Sequence, residues 1–282
     1  MRKLFLAGAA LMTMVSLASV ATPTFAQTHA AAHHVVAKHA AKAVTNQNVA
    51  LTILPGAHLG PDKKLHDSFT QADFNVVAGV PVTVTVYNYD SGKHSFTSSA
   101  LHLNVTLKGS TKTGVPGVTT FKFTPKAGKY GWECVLPCDG QNKAWAMSHD
   151  GYMKGTVHAL ANKDQQFVYL TVKDGLKFSA ADKKIHDSYE PANFTVKAGI
   201  PVHVMVVNYD SGAHSLTSPA LGLNKMFPGA AKEGAPSIST FTFTPQKPGN
   251  YHWRCMVPCD GGPTGWAMFH NGYMSGTITV VK

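Results

Sequence analysis

Sulfur and imidazole side chains recur twice in one spacing along this chain of 282 residues. His94 precedes Cys134, Cys138, His149 and Met153; His214 precedes Cys255, Cys259, His270 and Met274. In both strings C-x3-C is followed, after ten residues, by H-x3-M, and the four cysteines of the chain all lie in them. Thiolate, imidazole and thioether donors together favour copper, Cu(I) in particular, over hard cations. Two histidines, one cysteine and a weak methionine make an electron-transfer copper site. A second cysteine allows more, because two bridging thiolates can hold two coppers. The plainer alternative is a Cys-x3-Cys disulfide in a metal-free structural module, formed in an oxidising compartment. So short a ring stabilises little through chain entropy, and it leaves the nearby histidine and methionine unexplained. Copper is the preferred reading; a mononuclear site with one free thiol is a third.

Such ligands, far apart along the chain, need a fold that gathers them. "DKKLHDSF" recurs as "DKKIHDSY", "VYNYDSGKHSFTSSALHLN" as "VVNYDSGAHSLTSPALGLN", and "TTFKFTPKAGKY" as "STFTFTPQKPGNY". The offset of 120 residues, 121 from the cysteines onward, is too long for a solenoid. It implies two tandem copies of one domain, at 50–160 and 165–282, joined through "LANKDQQ". Within each copy the pattern is β. "FNVVAGVPVTVTVYN" and "FTVKAGIPVHVMVVN" are β-branched runs broken by a turn signal, "VTTFKFTP" alternates, and "GYMKGTVHAL" and "GYMSGTITVV" read as final strands. Short strands at this spacing predict an all-β sandwich or barrel. His94 and His214 then fall just after "NYDSG", where an early strand ends, and the other ligands on a loop between two late strands.

Several residues near the strings have a structural reading. Met147 and Met268, in "WAM", are rival thioethers assigned to the core, and Trp132, Trp145, Trp253 and Trp266 are expected to pack around the loop. His66 and His186, in "HDS", are expected to hydrogen-bond Asp67 and Asp187. Asp90 and Asp210 are expected to cap a turn. His252 has only Gly131 as its counterpart.

"HSLTSPALGLNKMFPG", "FTFTPQKPGNYHWRCMVPC" and "GYMSGTITV" together resemble the soluble copper-binding domain of cytochrome c oxidase subunit II, and with it the cupredoxin superfamily. The resemblance covers most of residues 50–282. It implies two tandem Greek-key β-sandwich domains. It also implies a dinuclear copper centre that takes electrons from a cytochrome. Cys255 and Cys259 would be the bridging thiolates, His214 and His270 the imidazoles and Met274 the weak thioether. Cys134, Cys138, His94, His149 and Met153 would match in the first copy. The pattern departs from the family in its loop. Asn142 and Pro263 stand where the family has its second histidine, which here comes seven residues later. Leu136 and Val257 stand where the family has a glutamate that contributes its carbonyl.

The beginning of the chain reads as a secretory leader. Arg2 and Lys3 precede an apolar run and the small residues of "TPTFA", which predicts cleavage after Ala26 (signal peptide 1–26). Residues 27–49 form a His/Ala-rich segment without a counterpart in the repeat, expected to be a flexible tail. Loss of Arg2 and Lys3 takes the formal charge from +10 to +8. No dense Lys/Arg run or nucleic-acid motif accompanies that charge, so a nucleic-acid partner is not expected. The mature chain has no other apolar stretch long enough to span a bilayer. The expected place is periplasmic or secreted, and the expected partner a redox protein such as a cytochrome. Electron transfer is the expected role, and copper storage or delivery in the envelope the alternative. No H-x-H or H-C-H ligand pair and no nucleophile or carboxylate pair stands out, so the expectation is an electron carrier and not an enzyme.

Overall fold

Valine and threonine alternate through Val82–Asn88, with Val82, Val84 and Val86 buried and Thr83, Thr85 and Tyr87 less so. This period of two is what places one face of a strand on a core. In a computed structural model, which describes residues 43–142, 144–262 and 265–282, that segment is one of eighteen strands. The expected signal peptide and residues 27–42 of the expected tail lie outside the described residues.

The first half holds β1 (Gln47–Leu59), β2 (Leu65–Phe69), β3 (Phe74–Val77), β4 (Val82–Asn88), β5 (His94–Ser98), β6 (Leu103–Leu107), β7 (Gly117–Phe123), β8 (Gly128–Glu133) and β9 (Lys154–Leu160). β1 thus begins three residues before the expected domain start. One sheet runs β2-β1-β4-β7 and the other β3-β9-β8-β5-β6. The second half holds β10 (Gln166–Phe178), β11 (Ile185–Glu190), β12 (Phe194–Lys197), β13 (Val202–Asn208), β14 (His214–Ser218), β15 (Leu223–Phe227), β16 (Ser237–Phe243), β17 (Gly249–Arg254) and β18 (Ser275–Val281). Its sheets run β11-β10-β13-β16 and β12-β18-β17-β14-β15, strand for strand the same order. The protein is all-β, two cupredoxin-like β-sandwich domains. The turn signals fall where expected, with Gly79 at φ 71° between β3 and β4 and Gly199 at φ 76° between β12 and β13, where the chain crosses from one sheet to the other.

Each core centres on a tryptophan. Trp132 stacks on Phe96, meets Phe69 edge-on and donates its indole N–H to the Ala72 carbonyl at 2.9 Å. Trp253 does the same towards Ala192 at 2.9 Å and packs edge-on against Tyr189. A buried indole keeps its packing energy only if its N–H finds an acceptor. The glycine of each M-x-G string makes that geometry fit. A Cβ at Gly155 would collide with the Ala72 carbonyl, and one at Gly276 with that of Ala192.

The sandwiches pack side by side within one compact unit, Ala40–Lys282. Their contact is polar as well as apolar. Thr70 and Thr171 share a hydroxyl hydrogen bond at 2.6 Å, and the Tyr89 hydroxyl donates to the buried Glu190 at 2.6 Å. Among the described residues no helix is long and apolar enough to cross a membrane.

Candidate metal centres

β5 and β8 are antiparallel neighbours paired at Thr97 and Glu133, so the start of β5 runs alongside the segment that follows β8. That adjacency brings His94 to Cys134 although forty residues separate them. The His94 Nδ1 lies 3.9 Å from the Cys134 Sγ, and the Cys138 Sγ lies 3.6 Å from it. The second domain repeats this, with His214 Nδ1 at 3.8 Å from Cys255 Sγ and Cys259 beside them. In each trio the ligand atoms fall within 4.8 Å of one another, close enough for one metal ion to be held by all three. The four cysteines are free, and 3.6 Å between sulfurs is far beyond a disulfide bond.

Hydrogen bonds tune these groups. The Cys138 S–H donates to the Cys134 sulfur and lowers its pKa against the effect of burial. His94 and the Ser95 N–H, at 3.3 Å, act in the same sense. Cys138, giving that hydrogen bond and buried beside a thiolate, is pushed up. Burial opposes a charge on His94, yet its hydrogen bonds to Asp90 and Cys134, with their negative charge, push it up to about 9. His214 stands likewise at about 9, between Asp210 and Cys255. In both sites the directions favour a proton on the histidine and on the second cysteine and its loss from the first. Protons hold the places a soft cation takes on binding.

The remaining expected ligands divide. Met153 and Met274 are fully buried in the same cores as Cys134 and Cys255, and their carbonyls accept the N–H of those cysteines at 2.8 Å. The Leu136 and Val257 carbonyls lie 3.5 Å and 3.4 Å from the first sulfur, so the carbonyl expected between the cysteines is at hand. His149 and His270 are not brought in. Each lies flat on the tryptophan four residues before it, with ring centroids 3.5 Å apart, and donates its Nδ1–H to that residue's carbonyl. The reason is the ten-residue loop. Asp139 and Asp260, next to the second cysteine, accept the N–H of Ala146 and Ala267 and fold the loop back early. The "WAM" segments become short helical turns, Trp145–Ser148 and Trp266–Phe269, and carry the histidines outward.

Two readings of the flanking residues change. His66 does not pair with Asp67. Its Nδ1 meets Asp139 at 2.8 Å and its Nε2 meets Asp62 at 2.9 Å, while His186 does the same with Asp260 and Asp182. Successive strand residues point to opposite faces, so an adjacent aspartate cannot reach the ring. Asp90 and Asp210 do cap their turns, accepting from Gly92 and Gly212. With the other oxygen they hold His94 and His214 Nε2 at 2.8 Å and 2.7 Å. Such a carboxylate fixes the ring's tautomer and aim for a metal on the opposite nitrogen. The D-x3-H spacing kept in both copies was the available signal.

Residues 152–280 match a family model described as the cupredoxin-like domain. No curated protein matches the chain. Solved structures that resemble it include the following three. A copper nitrite reductase from Nitrosomonas europaea is 12% identical over 84% of this chain and 94% of that one, with TM-score 0.30. A multicopper oxidase, mgLAC, is 14% identical over 83% and 86%, with TM-score 0.29. The metal binding domain of the Cu(I)-exporting P-type ATPase CopA of Streptococcus pneumoniae D39 is 16% identical over 44% and 92%, with TM-score 0.28. Two of the three are enzymes, so the expectation that the protein is not an enzyme does not stand. The missing H-x-H and H-C-H strings exclude one arrangement of ligands, and an arrangement of ligands is not a reaction. The family match and the two Cys/His groups support a copper-binding protein. Two sulfurs, an imidazole and a nearby carbonyl are a donor set that suits copper.

Proposed function

We propose that the chain is an exported copper protein of two duplicated domains that passes single electrons through a cysteine/histidine copper centre in each. The observation that carries this is the paired trio of His94, Cys134 and Cys138 and of His214, Cys255 and Cys259, buried except for the half-buried Cys138 and each prearranged around one point. Copper bound there would exchange one electron. The protein's part is to hold the ligands so that little has to move. Strand neighbours fix the histidine and first cysteine, Asp90 and Asp210 aim the rings, and Ser95 and Ser215 N–H groups steady the sulfurs. Met153 and Met274 are proposed as the weak thioethers, and His149 and His270 as ligands only if the loop rearranges on loading. The leader at 1–26 supports a periplasmic or secreted location, and the resemblance to the oxidase domain supports a redox protein such as a cytochrome as partner.

Copper reconstitution of the purified full chain, with metal counting and EPR, tests this. An electron shared over two coppers gives a hyperfine pattern distinct from that of one copper, and reversible one-electron reduction is the expected behaviour. Copper that binds outside the cysteines, or that cannot be cycled, overturns the reading. Storage or delivery is a second reading, favoured by Met226 and Met256. These thioethers are 59% and 52% exposed on either side of Ser215 beside the second centre. Fast copper transfer to a chelator with slow electron exchange would select it.

A further inference from the structure

His94 offers two nitrogens, and the copper reading uses only Nδ1. Its Nε2 points the other way, into a second group of metal-ligating side chains formed with Asp67 and Asp90. The ligand atoms of these three also lie within 4.8 Å of one another. We propose that Asp67, Asp90 and the outer nitrogen of His94 form a binding site for a divalent first-row cation, zinc or manganese. One imidazole nitrogen and two carboxylate oxygens are the donors such ions take, and thiolate is absent from the set.

The ligands are held in place. Asp67 Oδ1 and Oδ2 accept backbone N–H groups from Gly56 and Asp139 at 2.9 Å and 2.8 Å, and Asp90 Oδ1 accepts from Gly92. Each carboxylate oxygen keeps a second lone pair. Burial raises the Asp67 carboxyl, and the neighbouring Asp90 charge adds to it. Two carboxylates in that relation are relieved by a shared cation. On binding, the cation replaces the Nε2 proton of His94, that proton goes to solvent, and Asp90 turns from acceptor to ligand. Nδ1–H continues to face Cys134, so the site needs no copper. With copper on Nδ1 the ring would bridge two metals.

Asp90 borders a cleft of about 560 Å³ between the domains, which gives an ion an entry path and water to complete its shell. Of the two lysines of that cleft, Lys112 lies over the Phe178 ring at 3.4 Å, and Lys173 pairs with Asp174 at 3.2 Å and acts on Asp210 of the second domain. The second domain lacks the site. Among the described residues, Asp187, Asp210 and His214 form no such group. Lys173 takes the strand position that buried Leu54 holds in the first domain, and its charge acts on Asp210. A lysine there opposes a cation.

Manganese tests the site without touching the cysteines, because Mn²⁺ prefers oxygen and imidazole to thiolate. The reduced, copper-free full chain is titrated with Mn²⁺ while the EPR signal of the free ion is followed. One bound equivalent should be lost in Asp67→Asn and in Asp90→Asn. It should be kept in Asp187→Asn, Asp210→Asn and the double variant Cys134→Ser/Cys138→Ser. The last variant abolishes the first copper centre, so failure of the copper reading and of this one can be told apart. Should the aspartate variants fold poorly, paramagnetic broadening in the wild type decides: His94 resonances should broaden well before those of His214. An equivalent unaffected by Asp67→Asn, one lost equally with Asp187→Asn, or equal broadening of the two histidines overturns the proposal.

Discussion

The two domains keep one cage and differ around it. His, Cys, Cys, the aspartate behind the histidine and the tryptophan beneath are the same in both, with distances that agree within about a tenth of an ångström at His–Cys, 3.9 Å against 3.8 Å. The rim is another matter. Glu133, Val135, Thr106 and Ser148 around the first centre become Arg254, Met256, Met226 and Phe269 around the second. Arg254 lies against both Phe269 and Met256. Beneath the cage Phe69 becomes Tyr189, whose hydroxyl donates to the Ser215 carbonyl and meets His214 edge-on. Behind it Leu54 becomes Lys173. Side chains that hold the centre are constrained by its geometry, whereas those facing solvent or the other domain are free to set what each centre meets.

The most damaging way to separate the halves is at the cysteines. Cys255→Ser should abolish copper binding in the second domain and leave the first domain's share intact, and Cys134→Ser the reverse; copper counting on each variant checks this. If either change empties both domains, the centres are not independent.

Trp132→Ala and Trp253→Ala should each cost about 3–5 kcal/mol, since each removes a buried indole and orphans an alanine carbonyl. Gly155→Ala and Gly276→Ala should cost somewhat less, about 1–3 kcal/mol, by forcing a Cβ against that carbonyl. Urea unfolding of the metal-free chain measures them, and unequal costs in the two domains would show that the cores are less alike than the topology.

Asp90→Asn and Asp210→Asn leave the candidate copper ligands in place but disturb the rings' orientation. Copper affinity at the corresponding centre should fall roughly 10–100-fold, read by competition with a Cu(I) chelator. A smaller effect at Asp210 than at Asp90 would indicate that Tyr189 shares the work of holding His214.

The smallest effect is on pH. In the metal-free protein His94 and His214 are both raised to about 9. Their folded values exceed the unfolded one near 6.5. Their stabilisation is therefore complete below about 6.5 and is lost as pH rises through about 9. Cys134 and Cys255, lowered to about 4, give up their protons on folding across the same window and oppose this loss, so melting temperature should change little between those values in the unaltered chain and should fall with rising pH once Cys134→Ser and Cys255→Ser remove the opposing thiolates.

Much of this was legible along the chain. The β alternation of Val82–Asn88, the turn glycines and the repeat offset predict the two sandwiches. The recurrence of His, C-x3-C and Met singles out the sulfur and imidazole groups. The roles of Asp90 and Asp139 were less legible, because an aspartate in a turn or after a cysteine has many ordinary uses. His149 misled, since a residue kept in both copies at a ligand-like spacing is held instead by its stack on Trp145.

Residue type and period, both local properties, thus determine the all-β class and the set of soft donors. Tertiary structure alone decided which donors meet. Strand pairing puts β5 beside β8 and so His94 beside Cys134, while a carboxylate at Asp139 turns the loop before His149 can arrive. Those outcomes depend on which backbone groups find partners across forty or more residues, and no local window contains that information.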